Sequence, residues 1–362
     1  MTKNQIIRTV AFLLIVSVLL LTLCDLFEYE NSHISERIET YQDLPRNTVD
    51  AVMLGTSGMD RYWITPKGYE DFGLTVYPLS TDASPAWMIK IMLKEAAKRQ
   101  KLKLVIIDMR AFTNSYNEGS KKFDAASRRV IDGLDFFSLT RFEAISTTLK
   151  LRMKTGDEEA ERFDPSYFFS FIKYHSKWEF EDFSFDELDN PRSESLGFYM
   201  HSNNSIKRQG EYFESAKSAE RGALDPIVEE VFYDLLDYLK KQDYQVLFLD
   251  TPHCHSENEA KRMNTICDIL SENDFSYLVC DLDGKYNRQE DFYNDGHVNY
   301  YGAEIFTEWF GEYLKSSYDF PDRRLDKKCD EDWIGVYDYV KDGIQIFEDA
   351  KAKKESKYDF AE

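Results

Sequence analysis

Residues 102–110 read LKLVIIDMR, a nearly continuous apolar run that ends in an aspartate, a methionine and an arginine. A run of this kind is typical of a β-strand that is buried on both faces, as strands of parallel sheets are. Other short apolar runs along the chain predict further strands at 49–55, 75–80, 244–250 and 277–282. Because helical patterns separate most of these runs, the sequence predicts an α/β fold, with a parallel sheet and helices on both of its faces.

The helical segments have apolar residues at intervals of three and four. These patterns predict helices at 84–100, about 226–241, about 257–272 and 299–316. From about 113 to 224 the chain is rich in aromatic and charged residues and predicts a large, mainly helical insertion. Aromatic residues between 167 and 198 either stack on sugar rings or form a small core, and a core is the more common use of such residues. They include Tyr167, Phe168, Phe169, Phe171, Tyr174, Trp178 and Phe180.

Composition excludes several classes of protein. The chain has 362 residues, of which 43% are hydrophobic and 15% aromatic, as expected of a folded protein. Its formal net charge of −21 disfavours nucleic acid as a partner, because phosphate binding needs clustered Lys and Arg. Five cysteines are too few for a disulfide scaffold in a chain of this length, and their spacing matches no zinc motif.

The N-terminal segment predicts a membrane anchor. Residues 9–24 read TVAFLLIVSVLLLTLC, with Lys3 and Arg8 before them and acidic residues after them. The positive-inside rule then places the N-terminus in the cytoplasm and the rest of the chain outside. An uncleaved single-pass anchor is favoured over a cleaved signal peptide, because no small-residue cleavage site follows. We therefore expect a cytoplasmic N-terminus at 1–8, a transmembrane anchor at 9–27, a polar stalk at 28–47, the α/β domain at 48–320 and a charged helical tail at 321–362.

Polar residues follow several of the predicted strands, and sites in parallel sheets form at the carboxyl ends of the strands. Ser57 lies in the turn after the first strand, in AVMLGTSGMDRYWITP at 51–66. His297 follows the last strand, with Asp295 two residues before it. Serine needs a positioned base, and an acid that holds the imidazole completes a catalytic triad. The alternative interpretation is a plain Asp-Gly turn in which Asn299 caps the next helix.

Arg110 and a pair of histidines are further candidates. Arg110 comes directly after its strand and is expected either to donate to an oxyanion or to form a surface ion pair, with Asn114 as a weaker oxyanion candidate. His253 and His255 suggest a metal, but the sequence shows no third ligand near them, and a catalytic zinc ion normally has three protein ligands. We therefore expect loop histidines or substrate contacts, no metal and no cofactor.

The turn at 55–66, GTSGMDRYWITP, and the DGH at 295–297 resemble the first and last sequence blocks of the SGNH (GDSL-type) hydrolase superfamily. The resemblance covers roughly 49–112 and 225–316. It implies Ser57 as nucleophile, His297 as general base and Asp295 as the acid that orients it. The stretches LSTDAS at 79–84 and IDMRAFTN at 107–114 depart from the family's second and third blocks, which normally supply a Gly and a Gly-x-Asn-Asp to the oxyanion hole. A backbone N–H near Thr81 or Asp82 would still serve as one oxyanion donor.

The anchor and the Asp-x-His spacing favour the branch of the superfamily that is similar to extracytoplasmic polysaccharide O-acetyltransferases and teichoic-acid D-alanylation proteins. This resemblance implies a membrane-anchored acyltransferase or esterase that acts on a cell-envelope or secreted glycan, together with a membrane-bound O-acyltransferase as partner. Two alternatives stay open. One is plain hydrolysis of acyl groups, and the other is a catalytically inactive protein that binds glycan or scaffolds an acylation complex.

Overall fold

A computed structural model describes residues 2–27, 33–116, 120–154, 164–177, 193–200, 216–280, 285–287 and 290–358. The predictions that concern Trp178 and Phe180 lie outside the described residues, as do those for the first residues of the expected stalk and the end of the tail.

The expected parallel sheet is present. Five strands pair in the order β2-β1-β3-β4-β5, and every neighbouring pair is parallel. The strands are β1 (Ala51–Gly55), β2 (Val76–Ser80), β3 (Leu104–Asp108), β4 (Gln245–Asp250) and β5 (Ser276–Val279). A separate antiparallel pair follows, β6 (Phe292–Asn294) and β7 (His297–Val298).

The central strands are apolar along their whole length because both faces of the sheet are covered by other parts of the chain. Alternate residues of a strand point to opposite faces. Val105 and Ile107 of β3 therefore belong to one core cluster, and Leu104 and Ile106 belong to the other. The α/β architecture predicted from the apolar runs is confirmed.

Helices cover both faces of the sheet. The described helices are α1 (Lys3–Leu26), α2 (His33–Asp43), α3 (Ser57–Asp60), α4 (Thr65–Phe72), α5 (Ala86–Ala96), α6 (Ser120–Asp132), α7 (Leu139–Lys154), α8 (Phe171–Tyr174), α9 (Pro226–Leu239), α10 (Glu257–Glu272), α11 (Tyr300–Ser317), α12 (Asp330–Trp333) and α13 (Val336–Tyr358). Helices α2, α5, α7, α9 and α10 contribute to the first core cluster. Helices α3, α11 and α13 contribute to the second.

Helix α1 is long and apolar enough to cross a membrane over Lys3–Cys24. The apolar side chains over most of its length are exposed, whereas Cys24 near its end is buried. This pattern fits the predicted anchor.

Residues 33–43 correct the prediction of a polar stalk, because they form α2 and pack onto the domain. Ile34, Ile38 and Tyr41 lie in the first core cluster. The buried Arg37 guanidinium pairs with Asp60 at 2.8 Å and donates to the carbonyl of Ser80. Polar residues dominate the composition of α2, but its few apolar residues share one face, and that face is buried.

The described part of the insertion is mainly helical, as expected, although 193–200 and 216–224 are loops, and the insertion packs onto the rest of the domain. Helix α7 packs on α5, and α6 packs on α2. Tyr167 is buried in the first core cluster and Phe168 packs against that cluster, which agrees with a core role for these aromatics. The predicted helical tail is also helical, and Trp333 and Val340 within it are buried against the domain.

Candidate active site

Ser57 and His297 meet at the carboxyl edge of the sheet. The hydroxyl oxygen of Ser57 lies 2.7 Å from Nε2 of His297, although the two residues are 240 positions apart in the chain. Ser57 is nearly buried, and His297 is partly exposed. A serine within hydrogen-bond distance of an imidazole is the arrangement that nucleophilic catalysis needs.

The turn that carries Ser57 is held by a buried carboxylate. Asp108, at the end of β3, accepts hydrogen bonds from the Thr56 N–H at 2.9 Å and from the Thr56 hydroxyl. Gly55 has φ +147°, and a Cβ there would lie 2.1 Å from the Cβ of Asp108. Only glycine lets the two strands end this close together. Thr56 then caps α3, so Ser57 becomes the first residue of that helix.

Asp108 is fully buried, and burial raises the pKa of its carboxyl, which the hydrogen bonds from Thr56 partly oppose. In the sequence this residue is only the end of a predicted strand. The signal in the sequence is an acid at the end of an otherwise apolar run. A carboxylate is rarely buried without partners, so an acid at such a position indicates a buried hydrogen-bonded group.

The imidazole of His297 is held by Asn294. Nδ1 lies 2.9 Å from the Oδ1 of Asn294, which also accepts the N–H of Gly296 at 2.9 Å. An amide oxygen at this position favours the tautomer with hydrogen on Nδ1, which leaves the Nε2 lone pair facing Ser57. Asp295 is exposed, and its backbone carbonyl accepts the N–H of Cys254. The orienting role assigned to Asp295 thus stays a prediction, and Asn294 is a residue that sequence reasoning missed.

Substitution of these two neighbours separates their roles. Asn294→Ala removes the acceptor on Nδ1, so we expect the rate of serine acylation to fall by about 10²-fold or more, as when an imidazole loses its orientation. Asp295→Asn is expected to change the rate by less than about threefold. The measurement is the acylation rate of the full-length protein with an activated ester. A larger loss in Asp295→Asn than in Asn294→Ala would restore the original assignment.

Arg110 supports the histidine loop. Its Nη1 donates to the carbonyl of Gly296 at 2.8 Å, and its Nε lies 3.8 Å from Glu259. The Tyr62 hydroxyl donates to the carbonyls of Pro252 and Gly296. The structure therefore brings Arg110 to the site, where part of its guanidinium positions the loop that carries His297. The alternative interpretation of Arg110 named a surface ion pair, and an ion pair with Glu259 is present, with both side chains only partly exposed.

A chain of ionisable side chains lies behind Arg110. His255 lies 3.0 Å from the fully buried Asp250, and Nε2 of His253 lies 3.1 Å from Glu259. Burial alone would lower the pKa of His255, but Asp250 raises it. Asp250 is a third potential metal ligand beside the two histidines, which the sequence did not show. The ligand atoms of these three residues lie within 4.8 Å of one another. Because Thr251 and Glu259 already engage both nitrogens of His253, we assign no metal here.

Glu259 makes the stability of this region depend on pH. Burial would raise its pKa, but the hydrogen bond and charge of His253, with the charges of Arg110 and His255, lower it to about 2. A depressed pKa stabilises the fold above the ordinary value of about 4.3, and the contribution is lost as the pH falls toward 2. Glu259→Gln is thus expected to remove on the order of 3 kcal/mol at neutral pH and to flatten the dependence between pH 4.5 and 2.

Denaturant unfolding of the full-length chain at a series of pH values measures this effect. Glu272→Gln, an exposed substitution on the same helix, is the matched control and should leave the profile unchanged. If the free energy of unfolding depended on pH in the same way in Glu259→Gln and in the parent, the proposed contribution of Glu259 would be contradicted.

A polar cleft of about 530 Å³ opens over Ser57 and His297. Arg110, Asn114 and Ala83 are among its lining residues. Ala83 has φ +52° and lies in the loop after β2, where the sequence predicted a backbone oxyanion donor. The cleft therefore brings Ser57, His297, Arg110 and the loop after β2 around one space. Its other lining residues are Thr56, Thr113, Ser115, Phe123, Ser256, Asn258, Glu259 and Arg262.

Comparisons with protein families and with curated proteins identified no related protein. No protein-family model matches the chain, and no curated protein is significantly similar to it in sequence.

Proposed function

We propose that this protein is a membrane-anchored serine acyltransferase or esterase of the SGNH type. The observation that carries the proposal is the 2.7 Å contact between the hydroxyl of Ser57 and Nε2 of His297, with Nδ1 of the same ring held by Asn294. These contacts supply a nucleophile, a general base and a group that orients the base.

The proposed reaction has two halves. The Ser57 hydroxyl attacks the carbonyl carbon of an acyl donor and passes its proton to Nε2 of His297. The tetrahedral intermediate collapses when His297 returns that proton to the leaving group, and an acyl ester remains on Ser57. In the second half His297 takes the proton of an acceptor hydroxyl, which attacks the ester and regenerates the serine. Transfer and hydrolysis differ only in whether the acceptor is a sugar hydroxyl or water.

Arg110 and the backbone of the loop after β2 are the proposed oxyanion donors. A guanidinium has five N–H groups, so donation from Nη1 to Gly296 leaves others for the substrate. The Thr81 N–H already donates to the carbonyl of Gly55 at 3.3 Å, so the backbone candidates are the N–H groups of Asp82 and of Ala83, which lines the cleft. Loss of one such donor costs about 2.7–4 kcal/mol of transition-state stabilisation in serine hydrolases.

The proposed acceptor is a glycan of the cell envelope or a secreted glycan, and the proposed partner is a membrane-bound O-acyltransferase that supplies the acyl group. Two features support this choice. The cleft carries amides, hydroxyls and charged groups suited to sugar hydroxyls, and α1 is long enough to hold the domain at a membrane. The proposal places the N-terminus in the cytoplasm and the domain outside, in line with the positive-inside rule.

One observation favours the inactive alternative, in which the domain binds glycan or scaffolds an acylation complex. Asn294 is neutral, so it fixes the tautomer of His297 but adds no negative charge to stabilise the imidazolium. The direct contact between Ser57 and His297 favours catalysis, because a binding protein has no need of it.

The deciding experiment incubates the detergent-solubilised full-length protein with p-nitrophenyl acetate, with and without a sugar acceptor. We expect an acetyl group on Ser57 by peptide mass spectrometry, and acetylated sugar when the acceptor is present. Ser115→Ala is the matched control, because Ser115 lines the same cleft but bonds to Asp225. Acetate alone in the presence of acceptor would indicate an esterase, and an unmodified Ser57 would indicate the binding protein.

A further inference from the structure

Large apolar side chains are exposed near the end of helix α1. Leu139 is 83% exposed, Phe137 69%, Phe142 46% and Ile172 38%. Single exposed apolar residues are normal on protein surfaces, but a contiguous group of them marks an interaction site. We call residues 136–142 and 168–172 the apolar foot.

The apolar foot is attached to the anchor at one defined point. The Ser170 hydroxyl donates to the carbonyl of Cys24 at 2.8 Å, and α8 packs against α1. Cys24 is buried by this contact, whereas the apolar residues of α1 before it are exposed or only partly covered. The described domain therefore buries the anchor at the residue where the apolar span ends.

Aromatic contacts connect the exposed side chains with this attachment point. The ring of Phe137 lies 5.0 Å from that of Phe136, which lies 6.1 Å from Phe169, the residue before Ser170. On the other side Phe142 lies 6.5 Å from Phe168. The exposed group and the end of the anchor thus belong to one continuous patch.

The length of the span sets the depth of this patch. The 22 residues of Lys3–Cys24 extend about 33 Å as a helix, close to the roughly 30 Å of bilayer hydrocarbon. Cys24 then lies at the boundary between hydrocarbon and headgroups, where aromatic residues are enriched. Lys173, whose side chain is 44% exposed, is a cation that can reach headgroup phosphates from that depth.

We propose that the apolar foot inserts into the lipid leaflet from which α1 emerges on the domain side, so that the domain rests on the membrane at two places. The occupant of this surface is lipid. The chain has a net charge of −21, so the interaction depends on apolar contact and does not require anionic headgroups. Phe123 of α6, the helix that precedes the apolar foot in the chain, lines the cleft over Ser57.

The experiment places the photoreactive residue benzoylphenylalanine at Leu139, or at Phe137, in the full-length protein reconstituted in phosphatidylcholine nanodiscs. Leu325, 85% exposed, is the matched control position. After irradiation we expect lipid-adduct masses at both test positions in at least tenfold excess over Leu325, with yields unchanged in 0.5 M salt. Unchanged thermal unfolding midpoints confirm the fold of the variants.

Adduct yields at the test positions no greater than at Leu325, or yields that fall severalfold in high salt, would overturn the proposal. Irradiation in native membranes that gave adducts with another protein and none with lipid would overturn it as well. None of these outcomes depends on catalysis at Ser57. The proposal of lipid insertion and the proposed function can therefore be refuted independently of each other.

Discussion

Ser57→Ala and His297→Ala are each expected to lower the rate of labelling by a fluorophosphonate by about 10⁴-fold or more. Fluorophosphonates react with a serine hydroxyl only when a base activates it. The structure places the Nε2 of His297 2.7 Å from the Ser57 oxygen, and Asn294 holds the other ring nitrogen. Removal of either partner leaves an unactivated hydroxyl or none. The rate is measured on the full-length protein in detergent, with the labelled peptide identified by mass spectrometry.

The double variant sharpens this test, because residues that act as a unit show strongly non-additive effects. Ser57→Ala combined with His297→Ala should label no more slowly than either single variant. Ser115→Ala, in the same cleft, should label like the parent. Labelling that persists in Ser57→Ala at the parent rate would show that another serine is the reactive one and would exclude this site as the nucleophile.

Arg37→Met is expected to cost about 3–5 kcal/mol of stability, the range for breaking a buried ion pair from one side. Asp60 is buried, and its carboxylate lies 2.8 Å from the Arg37 guanidinium. Arg37 also donates to the carbonyls of Ser80 and Gly197. Burial raises the pKa of Asp60 even beside Arg37 and Arg61. Loss of Arg37 leaves a buried carboxylate with only the more distant Arg61, and two carbonyls without this donor.

Denaturant unfolding measures the effect of this substitution. Lys90→Met is the control, because Lys90 pairs with the exposed Asp234, and exposed pairs contribute about 0–1 kcal/mol. Asp60→Asn in the Arg37→Met background should recover part of the loss, since it removes the unpaired charge. A loss in Arg37→Met no greater than in Lys90→Met would contradict the role of this pair.

The sheet and the pairing of Ser57 with His297 could be predicted from the sequence. Strands covered on both faces must be apolar throughout, so runs such as 102–110 are visible without any structure. Parallel strands that alternate with helices bring their carboxyl ends to one edge. A serine after the first strand and a histidine beyond the last therefore approach each other as a consequence of topology.

The details of the site depend on turn geometry that a sequence does not display. Asp295 is an acid two residues before His297, yet the hairpin formed by β6 and β7 turns Asn294, three residues before, toward Nδ1. In the sequence Asp108 and Asp250 are simply strand ends, and only the assembled sheet shows that both are fully buried at its carboxyl edge. Helix α2 was hidden because its composition is polar and its few apolar residues occupy one narrow face.

The ion pair of Arg37 with Asp60 connects the N-terminal helices with the turn that carries Ser57. Arg37 belongs to the first helix after the anchor, and Asp60 ends the four-residue helix that begins with Ser57. Proteolytic cleavage of the chain on the N-terminal side of His33 would release a domain that keeps the ion pair of Arg37 with Asp60. Cleavage after Asp43 would separate α2 from the released domain and leave Asp60 without Arg37. The position of a single cut would thus decide whether the released domain keeps the ion pair that supports the turn of Ser57.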